Sequence, residues 1–266
     1  MTYLQAAPIQ GLIAAPMTPF FPDQTVNTTA IAPFASWLRN DQGCTGVFIN
    51  GTNGEGVSLT DQERMTTAES WTAVCREVDL KLIIHVGHQS LQAACELARQ
   101  AESLQANAIG YMPAGFFARS LESVVCCLEK LAEAAPNTPL YFYHIPAMAG
   151  VELSMEDLLK QAEHRVPTLA GVKFTHFDLM DFHLANQVNP ERFQMLFGRD
   201  EYLLGSLPFG TKAAVGSTYN FMGKLYLRLM EAYQQSRLAE AKQLQTLSHR
   251  VIAIMKESGD GVACSK

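Results

Sequence analysis

Eight short apolar runs, rich in Val, Ile, Phe and Tyr, recur along this 266-residue chain with longer segments of helical period between them. They fall at residues 12–16, 46–50, 81–86, 108–112, 139–145, 169–175, 194–197 and 213–216. Strands joined by helix-length crossovers return parallel, and parallel strands are covered on both faces, so they read as continuous apolar runs. The repeat is roughly 25 to 35 residues through the middle and tightens near the end, which fits a closed barrel of about 250 residues. An α/β fold is therefore expected, a (β/α)8 TIM barrel forming one domain over residues 1–266, with residues 237–266 starting a C-terminal helical region. The alternative, a doubly wound open sheet, lacks the glycine-rich nucleotide loop after its first strand.

Helix starts are marked in the same register. Thr60-Asp61-Gln62-Glu63 has the form of a capping box, and Ser90, Ser120 and Ser154 stand at N-cap positions before apolar-periodic stretches. Ser154 leads into Glu156 and Asp157, whose charges suit the positive end of a helix dipole.

Composition excludes several classes of function. Hydrophobic residues make up 48% and charged residues 17%, and no apolar stretch reaches the roughly 18 residues that would span a bilayer, so no membrane partner is expected. A net charge of -6 without Lys/Arg clusters opposes nucleic-acid binding, so an anionic ligand must be held by a local site. Residues 1–10 carry no basic segment ahead of an apolar core, which predicts no secretory signal and a cytoplasmic location. Cys44, Cys75, Cys95, Cys126, Cys127 and Cys264 show no C-x-x-C spacing and are expected as buried, reduced thiols.

In such a barrel the chemistry collects at the C-terminal ends of the strands. The sixth run, Leu169-Ala170-Gly171-Val172-Lys173-Phe174-Thr175, holds one cation. A lysine amine ordinarily titrates at about 10.4, so keeping it neutral near pH 7 takes about 4 kcal/mol of desolvation and charge effects. A neutral amine there would serve as a Schiff-base nucleophile. Taken alone, the segment fits better a structural lysine whose stem lies on apolar surface while its head reaches water. Thr175 shares the strand face of Lys173 and also stands ready to cap the next helix, with Asp178 three residues on.

The second run leads into Asn50-Gly51-Thr52-Asn53-Gly54-Glu55-Gly56, whose glycines let successive N–H groups turn toward a small anion, with Thr52 and Asn53 adding side-chain donors. A plain glycine-rich loop is the other reading. On the fifth run Tyr141, Tyr143 and Ile145 share one face, and Phe142 and His144 the other. A phenol at the inner mouth suits proton transfer, and a packed tyrosine is the alternative. The seventh run ends in Gly198-Arg199-Asp200-Glu201, whose carboxylates suit either a polyol or, the reading favoured by these residues alone, a helix start. The eighth ends in the polar segment Gly216-Ser217-Thr218-Tyr219-Asn220. His85 and His88, three apart on an extended segment, point to opposite faces, and no metal site is expected.

Taken in order, Gly51-Thr52-Asn53-Gly54-Glu55, Tyr143-His144-Ile145-Pro146, Gly171-Val172-Lys173-Phe174-Thr175 and Gly198-Arg199-Asp200-Glu201 resemble the dihydrodipicolinate synthase and N-acetylneuraminate lyase superfamily over nearly the whole chain. The resemblance implies a class I aldolase. Lys173 would form a Schiff base with the keto carbon of a pyruvate unit, Tyr143 would shuttle the proton, and the Thr52 and Asn53 loop would bind the carboxylate. Dihydrodipicolinate synthases carry an arginine two residues after the proline of the tyrosine motif, where this chain has Met148. The segments 177–182, 197–201 and 216–220 look instead like the sialic acid lyases. That branch implies a polyol contact for Asp200, Glu201 and Ser217, with Thr175, Gly198 and Gly216 beside them.

The activity so implied is reversible cleavage of N-acetylneuraminate to N-acetylmannosamine and pyruvate, with no added cofactor, by a homotetramer whose ligands are a sugar acid and pyruvate. Another pyruvate-dependent aldolase of the superfamily, acting on 2-keto-3-deoxy sugar acids or making dihydrodipicolinate, is the second reading, and a catalytically silent sugar-acid binding protein the third. Three departures stand out. Many relatives supply a neighbouring subunit's tyrosine after the fourth strand, where this chain reads Gly115-Phe116-Phe117. Asn53 stands where bacterial relatives carry a hydroxyl residue. Relatives also continue with further helices beyond the long helix expected at Leu238–Glu257, so the C-terminal extension is expected to be short.

Overall fold

The computed structural model describes residues 3–5, 7–113, 115, 119–259 and 261–266. Eight parallel strands close into a barrel in chain order: β1 (Gly11–Ala14), β2 (Gly46–Ile49), β3 (Lys81–His85), β4 (Ala108–Tyr111), β5 (Leu140–His144), β6 (Leu169–Phe174), β7 (Gln194–Phe197) and β8 (Ala213–Gly216). The register closes where Leu12 of β1 pairs with Ala214 of β8. All eight expected runs are strands, with some ends trimmed by a residue or two as the chain turns into its loops.

The strands carry two apolar layers. Leu12, Val47, Leu82, Ile109, Phe142 and Phe197 face outward against the helices, while Ile13, Phe48, Ile83, Tyr141, Tyr143 and Leu196 fill the interior. Adjacent residues alternate between the layers, as the pleat demands, and each large apolar side chain so buried contributes about 1.5–3 kcal/mol.

One strand breaks that alternation. Leu140 pairs with Leu169, but Tyr141 pairs with Gly171, so Ala170 is an extra residue bulged into β6. Leu169 faces out, Ala170 faces in, and Val172 faces out again. Without the bulge Lys173 would face the helices; with it, Lys173 stands beside Tyr143 in the barrel. Gly171 carries the distortion at φ 152°, and a Cβ there would lie 1.8 Å from the Gln194 carbonyl oxygen.

The helix caps form as the sequence predicts. In Asp61–Glu77 the Thr60 hydroxyl accepts the Glu63 N–H at 3.2 Å while the Glu63 carboxylate accepts the Thr60 N–H at 2.8 Å. Such a cap contributes about 1 kcal/mol. The Ser90, Ser120 and Ser154 hydroxyls each accept one N–H from the first turn of their helices, without the reciprocal bond. Thr175 does not. The cap of Leu179–Asn186 is Asp178, whose carboxylate accepts the Met180 and Asp181 N–H groups at 3.0 Å, because a capping side chain must sit directly before the first turn.

Beyond β8, helices Tyr219–Gln234 and Leu238–Glu257 pack against each other, and a short helix, Gly261–Ser265, follows. Cys44, Cys75 and Cys127 are buried and Cys95 half-buried, but Cys126 and Cys264 are exposed, since they fall on the outward faces of their helices. Among the described residues no helix is long and apolar enough to cross a membrane.

Candidate active site

A cavity of about 630 Å³ opens at the C-terminal end of the barrel. It is lined by all ten candidate site residues: Lys173, Tyr143, Thr52, Asn53, Thr175, Gly198, Asp200, Glu201, Gly216 and Ser217. Five strand ends or the loops after them deliver these groups, so residues up to 165 positions apart meet in one chamber through barrel closure.

Lys173 lies at the bottom, 4% exposed. Its Nζ sits 3.8 Å from the ring centroids of both Phe48 and Tyr143. Burial pushes its amine below the ordinary lysine range, opposed by Tyr143 and by the Asp200 charge. The lysine does not snorkel to solvent as a structural lysine would; it ends in the apolar throat. Phe48 escaped the sequence reading although strand alternation on β2 aims it inward with no other signal of a role.

Tyr143 is also buried, its ring edge-on to Phe48 at 5.5 Å and to His85 at 5.9 Å. Its Oη lies 3.4 Å from the Thr52 hydroxyl. The phenol thus stands between the amine and the glycine-rich loop, within reach of a molecule that touches both.

That loop is braced from three sides. The Asn50 carbonyl lies 3.1 Å from His85 Nδ1, and burial, with the Arg64 and Lys173 charges, holds His85 neutral at about 3, so Nδ1–H donates to it. Asn50 Nδ2 donates to the Arg64 carbonyl at 3.1 Å, and the buried Arg64 guanidinium in turn donates to the carbonyls of His85 and Gly87 at 2.8 and 3.0 Å. Asn53 Nδ2 donates to the Ala15 carbonyl at 2.8 Å, so this amide ties the loop to β1 instead of offering its donor to a ligand. Among the described residues, the backbone N–H groups of Thr52 and Asn53 meet no protein acceptor. They suit an anion.

Opposite the loop, Asp200 is 5% exposed and, with Glu201, opens the short 3-10 helix Asp200–Tyr202, as its sequence alone suggests, but its carboxylate turns to Thr218. Its Oδ2 accepts the Thr218 N–H at 2.8 Å and the Thr218 hydroxyl at 2.6 Å. Burial raises the carboxyl to about 6 against the pull of those two bonds. Oδ1 occupies the space a side chain on Gly216 would fill, 1.9 Å from that ideal Cβ. Glu201 pairs with Arg199 at 3.3 Å, and the Arg199 guanidinium lies 3.9 Å from the Phe177 ring centroid. Thr175 keeps a buried hydroxyl with no partner among the described residues.

His85 points into the barrel, whereas His88 reaches the surface and meets Asp61 at 3.4 Å. Gly115 is described, but Phe116 and Phe117, where relatives place a tyrosine, lie outside the described residues. The sequence reading also missed Ile252, Met255 and Lys256, which the helix Leu238–Glu257 brings to the cavity rim. Nothing in their local sequence marks them, because only the packing of that helix across the barrel mouth places them there.

A closed (β/α)8 barrel with a buried lysine, a phenol and an anion-ready loop gathered at one mouth defines an enzyme of the barrel class that works at its strand ends. This chain belongs to the Dihydrodipicolinate synthetase family, whose model matches residues 8–262. It is 38% identical to the N-acetylneuraminate lyase of Gallus gallus over 97% of this chain and 84% of that protein, and 38% identical to the human N-acetylneuraminate lyase over 97% and 81%. Among solved structures, the N-acetylneuraminate lyase (sialic acid aldolase) from Aliivibrio salmonicida superposes with a TM-score of 0.93 at 36% identity, covering 97% of this chain and 85% of that one.

Proposed function

We propose that this chain is a class I aldolase that reversibly cleaves N-acetylneuraminate to N-acetylmannosamine and pyruvate. The observation that carries this reading is the buried Lys173 amine held between the Tyr143 and Phe48 rings, below its ordinary titration range. A neutral amine adds to the keto carbon of the open-chain sugar acid, and loss of water gives an iminium. The C3–C4 bond then breaks, its electron pair entering the iminium to form an enamine, while the C4 hydroxyl proton passes to a base and the aldehyde of N-acetylmannosamine leaves. Protonation of the enamine and hydrolysis return pyruvate and the free amine.

Tyr143 carries the hydroxyl proton, a role supported by its reach to Lys173 and to Thr52. The Thr52 and Asn53 N–H groups take the carboxylate. Asp200, Glu201 and Ser217, with Thr175, Gly198 and Gly216, take the polyol tail across the cavity. Met148 at the rim brings no charge for a second carboxylate, which favours a sugar acid over aspartate semialdehyde. The same reading carries a homotetramer, checked by light scattering, and a cytoplasmic location, supported by six cysteines without C-x-x-C spacing and checked by fractionation.

Borohydride reduction in the presence of pyruvate, followed by peptide mass analysis, tests the chemistry: an adduct on Lys173 is expected, and none would refute the mechanism. Cleavage of N-acetylneuraminate measured beside condensation of pyruvate with aspartate semialdehyde tests the substrate. Preference for the condensation overturns the lyase reading, and binding of the sugar acid without turnover supports a silent binding protein.

A further inference from the structure

Asp200 does not hold its position alone. The Thr218 hydroxyl that bonds its Oδ2 lies 2.8 Å from Tyr226 Oη, which lies 2.8 Å from Ser248 Oγ. Gln245 Nε2 donates to Ser248 Oγ at 3.2 Å and to the Asp200 carbonyl at 3.1 Å, while Gln245 Oε1 accepts the Leu204 N–H at 3.0 Å. Asp200, Thr218, Tyr226, Ser248 and Gln245 are each at least nine-tenths buried, and together they make a closed ring.

With Asp200 ionised, proton counting gives this ring one direction. Each hydroxyl carries a single hydrogen. With that of Thr218 donated to the carboxylate, Tyr226 donates to Thr218, Ser248 to Tyr226, and the Gln245 amide to Ser248. The two ends fix the sense: an amide N–H only donates, and a carboxylate only accepts. Hydrogen bonds aligned in this way reinforce one another in a low-dielectric interior.

We propose that Thr218, Tyr226, Ser248 and Gln245 are positioning residues that keep Asp200 ionised and leave its Oδ1 above Gly216 as an acceptor for a substrate hydroxyl. The C-terminal helix Leu238–Glu257 thereby sets how well the barrel binds the sugar-acid tail. This rests on the reading of Asp200 as a polyol contact. Burial alone drives Asp200 toward its neutral form, and a protonated carboxyl would have to spend its O–H either on Thr218, reversing the chain, or on the ligand, so that Oδ1 no longer accepts. The other titratable groups facing it are Lys173 from β6, the neighbouring Glu201, and Tyr219 and Tyr226 from the helix after β8.

Ser248→Ala and Tyr226→Phe cut the chain while keeping the packing, with the Tyr219 and Tyr226 rings 4.8 Å apart. Loss of one such bond predicts a roughly five- to tenfold fall in kcat/KM for N-acetylneuraminate, carried mainly by KM. The acid limb of the kcat/KM profile should move to higher pH. Thr218→Ser should retain most of the wild-type behaviour and Thr218→Val should not. Folded variants, judged by thermal melting, with unchanged KM and an unmoved acid limb would overturn the proposal. The pyruvate adduct on Lys173 of the unaltered protein separates the two readings: its absence sinks the aldolase mechanism. The relay is then decided by the 13C carboxyl titration of Asp200, which supports it if Ser248→Ala moves the titration upward and overturns it if not.

Discussion

Lys173 reaches the barrel interior because Gly171, two residues before it, closes a bulge that reverses the facing of β6. Gly171→Ala must move either the Gln194 carbonyl or the bulge itself. A loss of about 2 kcal/mol or more is expected, together with loss of the pyruvate adduct on Lys173. Thermal melting and the borohydride trap check both. A stable, fully labelled variant would show that the bulge does not aim the lysine.

Tyr143→Phe keeps the ring that walls the amine and removes only the hydroxyl near Thr52. Steady-state cleavage should fall by about 10² to 10⁴, the usual worth of a positioned proton carrier, while Lys173 still traps pyruvate on long incubation. Retention of most of the rate would assign the proton transfer elsewhere.

Asn53→Ala frees the carboxylate loop from β1 by removing the bond to the Ala15 carbonyl. Stability should drop by about 1 kcal/mol, and half-maximal trapping should need several-fold more pyruvate. Calorimetry and a pyruvate titration of the trap measure the two effects. Trapping at the original concentration would mean the loop holds its shape without this tie.

Acid should weaken the fold in a predictable window. Burial holds His85 and His144 at about 3, against an ordinary value of 6.5, so below 6.5 the unfolded chain binds protons that the folded one refuses. Stability is therefore lost as pH falls from about 6.5 toward 3, by about 4 to 5 kcal/mol per histidine at full extent. Asp200 works the other way: raised to about 6, it takes up a proton on the folded side first and returns about 3 kcal/mol between pH 6 and 3.8. The histidines win. Urea midpoints at pH 7 and 4.5 should show the net loss, reduced in His144→Phe; equal midpoints for the unaltered protein would contradict it.

Much of this was legible in the chain. The eight strands, the Thr60 capping box and the Ser90, Ser120 and Ser154 caps are local: an apolar run or a hydroxyl one turn from an amide carries its own signal. The ten candidate site residues line one cavity because closure of a barrel brings strand ends together whatever their distance in sequence, although the residues alone favoured a helix start for Asp200 and Glu201 and only the family resemblance drew them to the ligand. Thr175 was misread as a possible cap, since its spacing to Asp178 imitates a box while the helix starts only after Asp178.

By itself, then, the sequence determined the order of elements, the barrel and the set of polar groups at its mouth, because periodicity and capping depend on neighbours a few residues apart. Tertiary structure alone decided where those groups point and what holds them. The inward turn of Lys173 depends on an extra residue in β6 whose cost shows only against β7, and the Thr218 hydroxyl that bonds Asp200 is itself bonded to Tyr226, and Tyr226 to Ser248, from two later helices. Contacts of that kind obey no period, since they are set by the packing of surfaces that the chain brings together only when the barrel has closed.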